Sequence, residues 1–234
     1  MADPEAQGVV ALGDSITNGG GELQWGVALQ SWTQWLARGL GLPLINHAID
    51  GATVDGVLGA QIPRHEQHSA RPTARFDLGC LYIGANDVRG DSWDENAYAA
   101  GLDQVLGWLE ARCERRLVCT LPLDLGRPRA TGVPAANRRL RAAAERHGAL
   151  LLDLSGFGAR NLVMVDHVHP TAFGQIAIAE RALRLLATDG LPTRVVPHTL
   201  IAYDTRRRDR LRGDVTYVYR HAKVSAKARF RSGR

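Results

Sequence analysis

Five apolar runs recur along the chain: Gly8–Leu12, Pro43–Ala48, Phe76–Ile83, Arg116–Leu121 and Ala149–Leu154. Their apolar residues follow one another instead of alternating with polar ones. A strand of that kind is buried on both faces, which is the situation in a parallel sheet covered by helices. Stretches with helical signals separate the runs. Trp25, Leu29, Trp32 and Leu36 fall at helical spacing and predict a helix from about Trp25 to Leu40, ended by Gly39 or Gly41. A second helix is expected from about Val54 to Ile62 behind a Thr53 cap, although Gly56 and Gly59 weaken it. Residues 63–75 contain two prolines and read as a polar loop. Further helices are expected over about Glu95–Arg115, Pro134–Arg146 and Thr171–Leu186. Alternating strands and helices give a three-layer α/β/α sandwich around a five-stranded parallel sheet.

A chain of 234 residues can bury such a core without disulfides. Residues 1–190 carry the alternation and are expected to form one catalytic domain. Residues 191–234 are expected to form a C-terminal extension of different character. The extension holds twelve Lys/Arg against three Asp/Glu, whereas the first 190 residues hold seventeen basic against twenty-one acidic. The net charge of +5 is therefore a property of the tail. Residues 194–203 and 215–219 look strand-like, and the stretch from Lys223 to Arg234 is too poor in apolar residues to pack. The three cysteines, Cys80, Cys113 and Cys119, show no pairing pattern and read as free, mostly buried thiols. No apolar run is long enough to span a membrane, and Met1–Glu5 shows no features of a secretory signal. The expected location is the cytoplasm.

The chemistry-bearing residues lie just beyond the strands. Gly13-Asp14-Ser15 follows the first, Asp50-Gly51 the second and Gly84-Ala85-Asn86-Asp87 the third; Asp166-His167-Val168-His169 lies a dozen residues past the fifth. In a parallel sheet these carboxyl ends share one edge. A serine, a glycine N–H, an asparagine amide, an aspartate and a histidine can converge there. Serine needs an imidazole to take its proton, and the imidazole needs a carboxylate to hold its tautomer. A tetrahedral oxyanion needs donors placed in advance. Asp166 and His169 stand three residues apart, so the carboxylate can bend back onto Nδ1 and leave Nε2 facing Ser15. His167 is the alternative base. No Gly-x-Ser-x-Gly elbow occurs elsewhere.

With these four blocks in order over residues 8–188, the chain resembles the SGNH or GDSL hydrolases. The resemblance implies Ser15 as nucleophile, His169 as base and Asp166 as its orienting acid. It implies an oxyanion hole from the Ser15 and Gly51 N–H groups and the Asn86 amide. Gly13, Asp14, Gly84 and Asp87 belong to the motifs, and the two aspartates read as residues that brace their loops. Ile16 stands where the family usually has leucine. The family's fold resembles flavodoxin in layering and needs neither metal nor organic cofactor. The expected activity is hydrolysis of carboxylic esters through an acyl-enzyme, with small acyl or acetyl esters as substrates. Acyl transfer or thioester cleavage by the same residues is the alternative.

Two other readings compete. Asp166, His167 and His169 could bind a metal with His47 or Asp14, but acyl transfer uses more of the residues present. His65 and His68 also have a metal-like spacing, though nothing nearby completes a ligand set, and they read as a solvated loop. The basic tail with Tyr203, Tyr217, Tyr219 and Phe230 has the chemistry of a nucleic-acid or anionic-membrane contact. We read it instead as a solvated extension partly docked on the domain, with contact to an anionic surface as the second class of function. The expected partner is a small-molecule ester and not a nucleic acid. A strand or arm exchanged between subunits is a third role for the tail, and the sequence leaves the oligomeric state open.

Overall fold

The computed structural model describes residues 8–68, 75–159 and 161–202, together with Arg208, Leu211, Val215, Val218, Tyr219 and Ala222. Its centre is a five-stranded sheet of β1 (Val9–Gly13), β2 (Leu44–Asn46), β3 (Phe76–Tyr82), β4 (Cys113–Cys119) and β5 (Leu150–Leu152). The order is β2-β1-β3-β4-β5, and every pairing is parallel. β1 and β3 are buried along their whole length, which is why both read as mainly apolar runs; Asp77 in β3 is buried with its Oδ2 accepting from the Gly8 N–H at 3.0 Å. The chain leaves β1 toward β2 on one side and returns to β3 on the other. Ligand sites of open α/β sheets lie outside the carboxyl ends of strands at such a reversal.

Seven helices surround the sheet among the described residues: α1 (Ser15–Asn18), α2 (Trp32–Leu40), α3 (Val54–Gly56), α4 (Ile62–His68), α5 (Glu95–Arg112), α6 (Val133–Arg146) and α7 (Ala172–Thr188). α2 packs on α7, and α5 packs on α6. One continuous core joins Trp32, Leu36, Ile178 and Leu183 to β1 and β3, and Leu102, Leu106 and Leu140 to β3 and β4. Cys80, Cys113 and Cys119 are free thiols within it.

Several local expectations need correction. The helix expected from Trp25 begins only at Trp32, where the Ser31 hydroxyl accepts from the Gln34 N–H. Trp25 has φ 49° and the adjacent Gly26 has φ 80°, so the backbone before Ser31 cannot be helical. The Trp25 ring packs edge-on against Phe173 at 5.4 Å, and this places an aromatic at helical spacing without a helix. The loop expected over 63–75 is partly helix. A π-helical turn at Val57–Gln61 carries α3 into α4, where Pro63 falls at the second position. β4 begins at Cys113, three residues earlier than expected.

In the tail, the strand expected over 194–203 is replaced by a 3-10 turn at Pro197–Leu200. Arg194 and Val195 donate to the Gly39 carbonyl, and His198 pairs with Glu180 at 2.7 Å, so this part is fastened to α2 and α7. Val215, Val218 and Tyr219 are helical where a strand was expected. The expectation for Lys223–Arg234 falls outside the described residues.

The α2–α7 layer is tied to the loop after β1 by one buried side chain, Gln175. Its Oε1 accepts from the Trp32 N–H at 2.8 Å, and its Nε2 donates to the carbonyls of Ile16 at 3.0 Å and Gly20 at 3.1 Å. Gln175→Leu would leave the Trp32 N–H and the Gly20 carbonyl without a partner and the Ile16 carbonyl with only its 3.4 Å bond from the Gly19 N–H. We expect it to lower stability by roughly 1–3 kcal/mol, measured by chemical denaturation, because orphaned buried groups carry their full desolvation cost. Wild-type stability in that variant would show that water replaces the clamp.

Candidate active site

Ser15 is the first residue of α1, and Asp14 caps that helix. The Asp14 Oδ1 accepts from the Ile16 N–H at 2.9 Å, and Gly19 ends the turn with φ 98°. As the first helical residue, Ser15 has no intrahelical acceptor for its own N–H. A second glutamine fixes the strand end. Gln61 accepts from the Gly13 N–H at 3.0 Å and donates to the Gly13 carbonyl at 2.7 Å.

His169 reaches Ser15 from 154 residues away: the Ser15 Oγ lies 2.9 Å from His169 Nε2. His169 Nδ1 lies 2.7 Å from Asp166 Oδ2. A carboxylate accepts only, so Nδ1 carries the proton and Nε2 is left as the acceptor facing the serine. Asp166 is itself held. Its Oδ1 accepts from the N–H groups of Val168 at 2.9 Å and His169 at 3.1 Å. Gly20 lies against this pair. A β-carbon there would meet the Ser15 carbonyl at 2.8 Å and His169 Cδ2 at 3.1 Å, so a larger residue would push the imidazole away.

The loops after β1, β2 and β3 are tied to one another. Asn18 donates to Asp50 at 2.8 Å. Asn86 Nδ2 donates to the Ala52 carbonyl at 2.9 Å, and Asp87 Oδ1 accepts from the Val54 N–H at 3.0 Å. Gly51, at φ 77° and exposed, sits between these two links. Gly84 has φ 120°, and a side chain there would run into the buried Tyr98 hydroxyl. Beside Asn86 opens a cleft of about 160 Å³ lined by Thr53, Val54, Asp87, Trp93 and Tyr98 among others.

Charges in this region are strongly perturbed. Burial pushes the Asp14 carboxyl up to about 7 despite its hydrogen bond from Ile16. Its Oδ2 is buried without a partner, as is the Oδ2 of Asp87, and burial raises Asp87 also. Burial works to raise Asp166 as well, but the hydrogen bonds from His169 and two backbone N–H groups outweigh it and hold the carboxyl low. The same bond from Asp166 raises His169 above the ordinary imidazole value, against the pull of burial and of the Arg89 charge.

The sequence-predicted residues thus fall into three groups. Ser15, His169 and Asp166 form one hydrogen-bonded line. Gly51 and Asn86 sit in the neighbouring loops, and Gly13, Asp14, Gly84 and Asp87 shape the backbone around them. His167 stands apart: its Nδ1 lies 2.9 Å from Asp124 Oδ2, and its carbonyl accepts from the Gly126 N–H. Gln61, Gln175 and Gly20 were not singled out by sequence, since an isolated glutamine or a glycine in a polar loop carries no pattern.

His65 is not on a solvated loop. It is buried on α4, with Nδ1 3.1 Å from His47 Nε2 and its ring against Phe76 and Trp108. Burial, with the neighbouring His65 second, depresses His47 to about 4. Among the described residues no three His, Cys, Asp or Glu gather to hold a metal ion. No described helix is long and apolar enough to cross a membrane.

A model of the GDSL-like Lipase/Acylhydrolase family matches residues 11–177. Among solved structures, an α/β hydrolase, LAE5, from the metagenome of Lake Arreo in Spain superposes with a TM-score of 0.61 at 22% identity, covering 77% of this chain and 95% of that one. Axe2, an acetylxylan esterase from Geobacillus stearothermophilus, gives a TM-score of 0.61 at 21% identity over 80% of this chain and 96% of its own. At these identities the likeness concerns the fold. No curated protein matches the chain. The family model spans the sheet, the loops at its carboxyl edge and the start of α7. The chain belongs to the GDSL-like lipase/acylhydrolase family and is a carboxylic ester hydrolase of the GDSL type.

Proposed function

We propose that the protein hydrolyses small acyl esters, acetyl esters first among them, through an acyl-enzyme formed on Ser15. The observation that carries this reading is the continuous line from Ser15 Oγ through His169 to Asp166, at 2.9 and 2.7 Å. His169 Nε2 takes the Ser15 proton as Oγ attacks the acyl carbon. The imidazolium so formed is supported by Asp166 at Nδ1. The oxyanion is received by the free N–H of Ser15, the N–H of Gly51 and the amide of Asn86. The amide has a second hydrogen beyond the one given to Ala52. His169 then gives its proton to the departing alcohol. Water repeats the sequence on the acyl-serine and releases the acid. The structural likeness to Axe2, an acetylxylan esterase, supports placing acetyl esters first.

A fluorophosphonate probe with peptide mass spectrometry, run alongside p-nitrophenyl esters of increasing chain length, tests this. We expect labelling on Ser15 and a kcat/KM that declines from acetate to octanoate. Labelling on another residue, or none, would remove Ser15 from the chemistry.

The pH profile follows from the charges. Only neutral His169 accepts a proton, and its partners hold it above the ordinary value of 6.5. Activity therefore rises with pH through a midpoint above 6.5 and is lost in acid. Asp14, at about 7, titrates in the same range, so the midpoint belongs to the coupled pair. Asp166→Asn should move the midpoint down and lower kcat by roughly 10⁴, as expected when the orienting acid is lost. A pH profile identical to wild type would assign the base elsewhere.

Asn86→Ala should lower kcat by roughly 10²–10³ with a smaller effect on KM, as for the loss of one oxyanion donor. Steady-state kinetics on p-nitrophenyl acetate reads this directly. An unchanged kcat would take Asn86 out of the oxyanion hole.

A further inference from the structure

Among the described residues, the loops at the carboxyl edge of the sheet carry three arginines, Arg89, Arg127 and Arg129, and they differ in what they do. Arg127 is occupied by Asp124, at 2.9 and 2.8 Å through its two terminal nitrogens. Arg129 donates to the Leu123 carbonyl at 2.8 Å. Arg89 makes no hydrogen bond and no ion pair with any described residue. It stands three positions after Asn86, in the loop that follows β3, and is exposed.

Two observations set its position. Its stem lies against Gly126, where a β-carbon would meet Arg89 Cδ at 3.6 Å and Nε at 3.4 Å. The Gly126 N–H in turn donates to the His167 carbonyl at 2.8 Å, so the surface that carries Arg89 is joined to the loop that carries His169. Arg89 is also near enough to His169 for its charge to act on the imidazole. Arg89 thus stands on the asparagine loop against the loop after β4, which the Gly126–His167 hydrogen bond joins to the histidine loop, and its side chain is exposed.

A guanidinium offers a planar fork of N–H donors that matches a carboxylate or phosphate. The nearby acidic groups do not use it. Asp14 and Asp87 are turned into the protein, with Oδ1 on backbone N–H groups and Oδ2 buried. Asp124 is taken by Arg127 and His167. The neighbouring acids are therefore engaged or buried, while the cation next to them is unpaired.

We propose that Arg89 is a specificity-determining residue that receives an anionic group, a carboxylate or a phosphate, carried by the ester substrate. The proposal rests on the Ser15 esterase reading and narrows it to anionic esters. The anion can belong to the departing alcohol or to the acyl part, and in either case its partner is the guanidinium.

The experiment compares matched esters on the full chain at pH 8 and fixed ionic strength. For the alcohol side the pair is 4-acetoxybenzoate and its neutral methyl ester. For the acyl side the pair is 4-nitrophenyl hemisuccinate and 4-nitrophenyl butyrate. We expect the wild type to favour the anionic member of one pair by about tenfold or more in kcat/KM, the size of a hydrogen bond to a charged group. The pair that shows it identifies which part of the substrate carries the anion. In Arg89→Gln the ratio for that pair should fall at least about tenfold, and Arg89→Lys should restore part of it, since the charge remains but the fork is lost. Raising the salt should shrink the wild-type preference, because the guanidinium is exposed.

Anionic-to-neutral ratios that are the same in the wild type and Arg89→Gln for both pairs would overturn the proposal. If the neutral esters are still turned over, only the role of Arg89 has failed. If no ester is turned over and the fluorophosphonate leaves Ser15 unlabelled, the esterase reading has failed and the proposal with it.

Discussion

The backbone at the end of β1 is the constraint on which the site depends. The chain leaves a fully buried strand at Gly13 and enters a single helical turn, then bends back at Gly20. The peptide groups along that path lose water and cannot all be paired within so short a helix. An unpaired buried peptide group costs about as much as several good contacts supply. Two buried glutamines resolve this. Gln61 pairs with both the N–H and the carbonyl of Gly13. Gln175 takes the carbonyls of Ile16 and Gly20 and ties them to the start of α2. A glutamine amide carries a donor and an acceptor at one end, so it can complete a peptide group as a neighbouring strand would. Ser15 lies between these two clamps, and its place relative to His169 is set by them.

The same burial shapes the electrostatics. Asp14 and Asp87 each give one oxygen to a backbone N–H and keep the other buried without a partner. Taking a carboxylate out of water favours its neutral form, and each also feels negative charge nearby. Asp166 has the opposite balance. It too is partly buried, yet three N–H groups converge on it and hold it ionised. Three carboxyl groups in one site are thus set apart by the number of donors each meets. The one with most donors is the one in contact with the imidazole, where a fixed negative charge can support a forming positive one.

The strands were legible because β1 and β3 are buried on both faces, so apolar residues dominate them; the exception, Asp77 in β3, is buried with its Oδ2 accepting from the Gly8 N–H. The four chemical blocks were legible because a parallel sheet turns separate strand ends toward one edge. What was lost is tertiary. Trp25 stands at helical spacing from Leu29 and Trp32, but it packs on Phe173 from a backbone of φ 49°, so the spacing has no helix behind it. Gly56 and Gly59 weakened the expected helix after Thr53. The structure keeps the helix and takes up the irregularity as a π-helical turn at Val57–Gln61. Gln61 ends that turn and reaches Gly13, a link across 48 residues that no local pattern announces. His65 looked like a loop residue because Pro63 precedes it. Proline is tolerated in the first turn of a helix, and α4 begins one residue earlier.

The two histidines show how local backbone geometry gives neighbouring side chains different partners. His167 and His169 share the same four-residue block, and composition does not separate them. Asp166 Oδ1 folds back onto the N–H groups of Val168 and His169, a turn that Asp side chains make readily. That turn requires the residue after Asp166 to swing out, and His167 has φ 56°, a left-handed conformation that histidine tolerates better than most residues. The swing carries the His167 ring to Asp124 and Arg127 and its carbonyl to Gly126. The other Asp166 oxygen is left facing His169 Nδ1 at 2.7 Å. His167 therefore anchors the histidine loop to the loop after β4. Because Gly126 lies under the Arg89 stem, the anchor also couples the imidazole loop to the one exposed, unpaired guanidinium described at this edge.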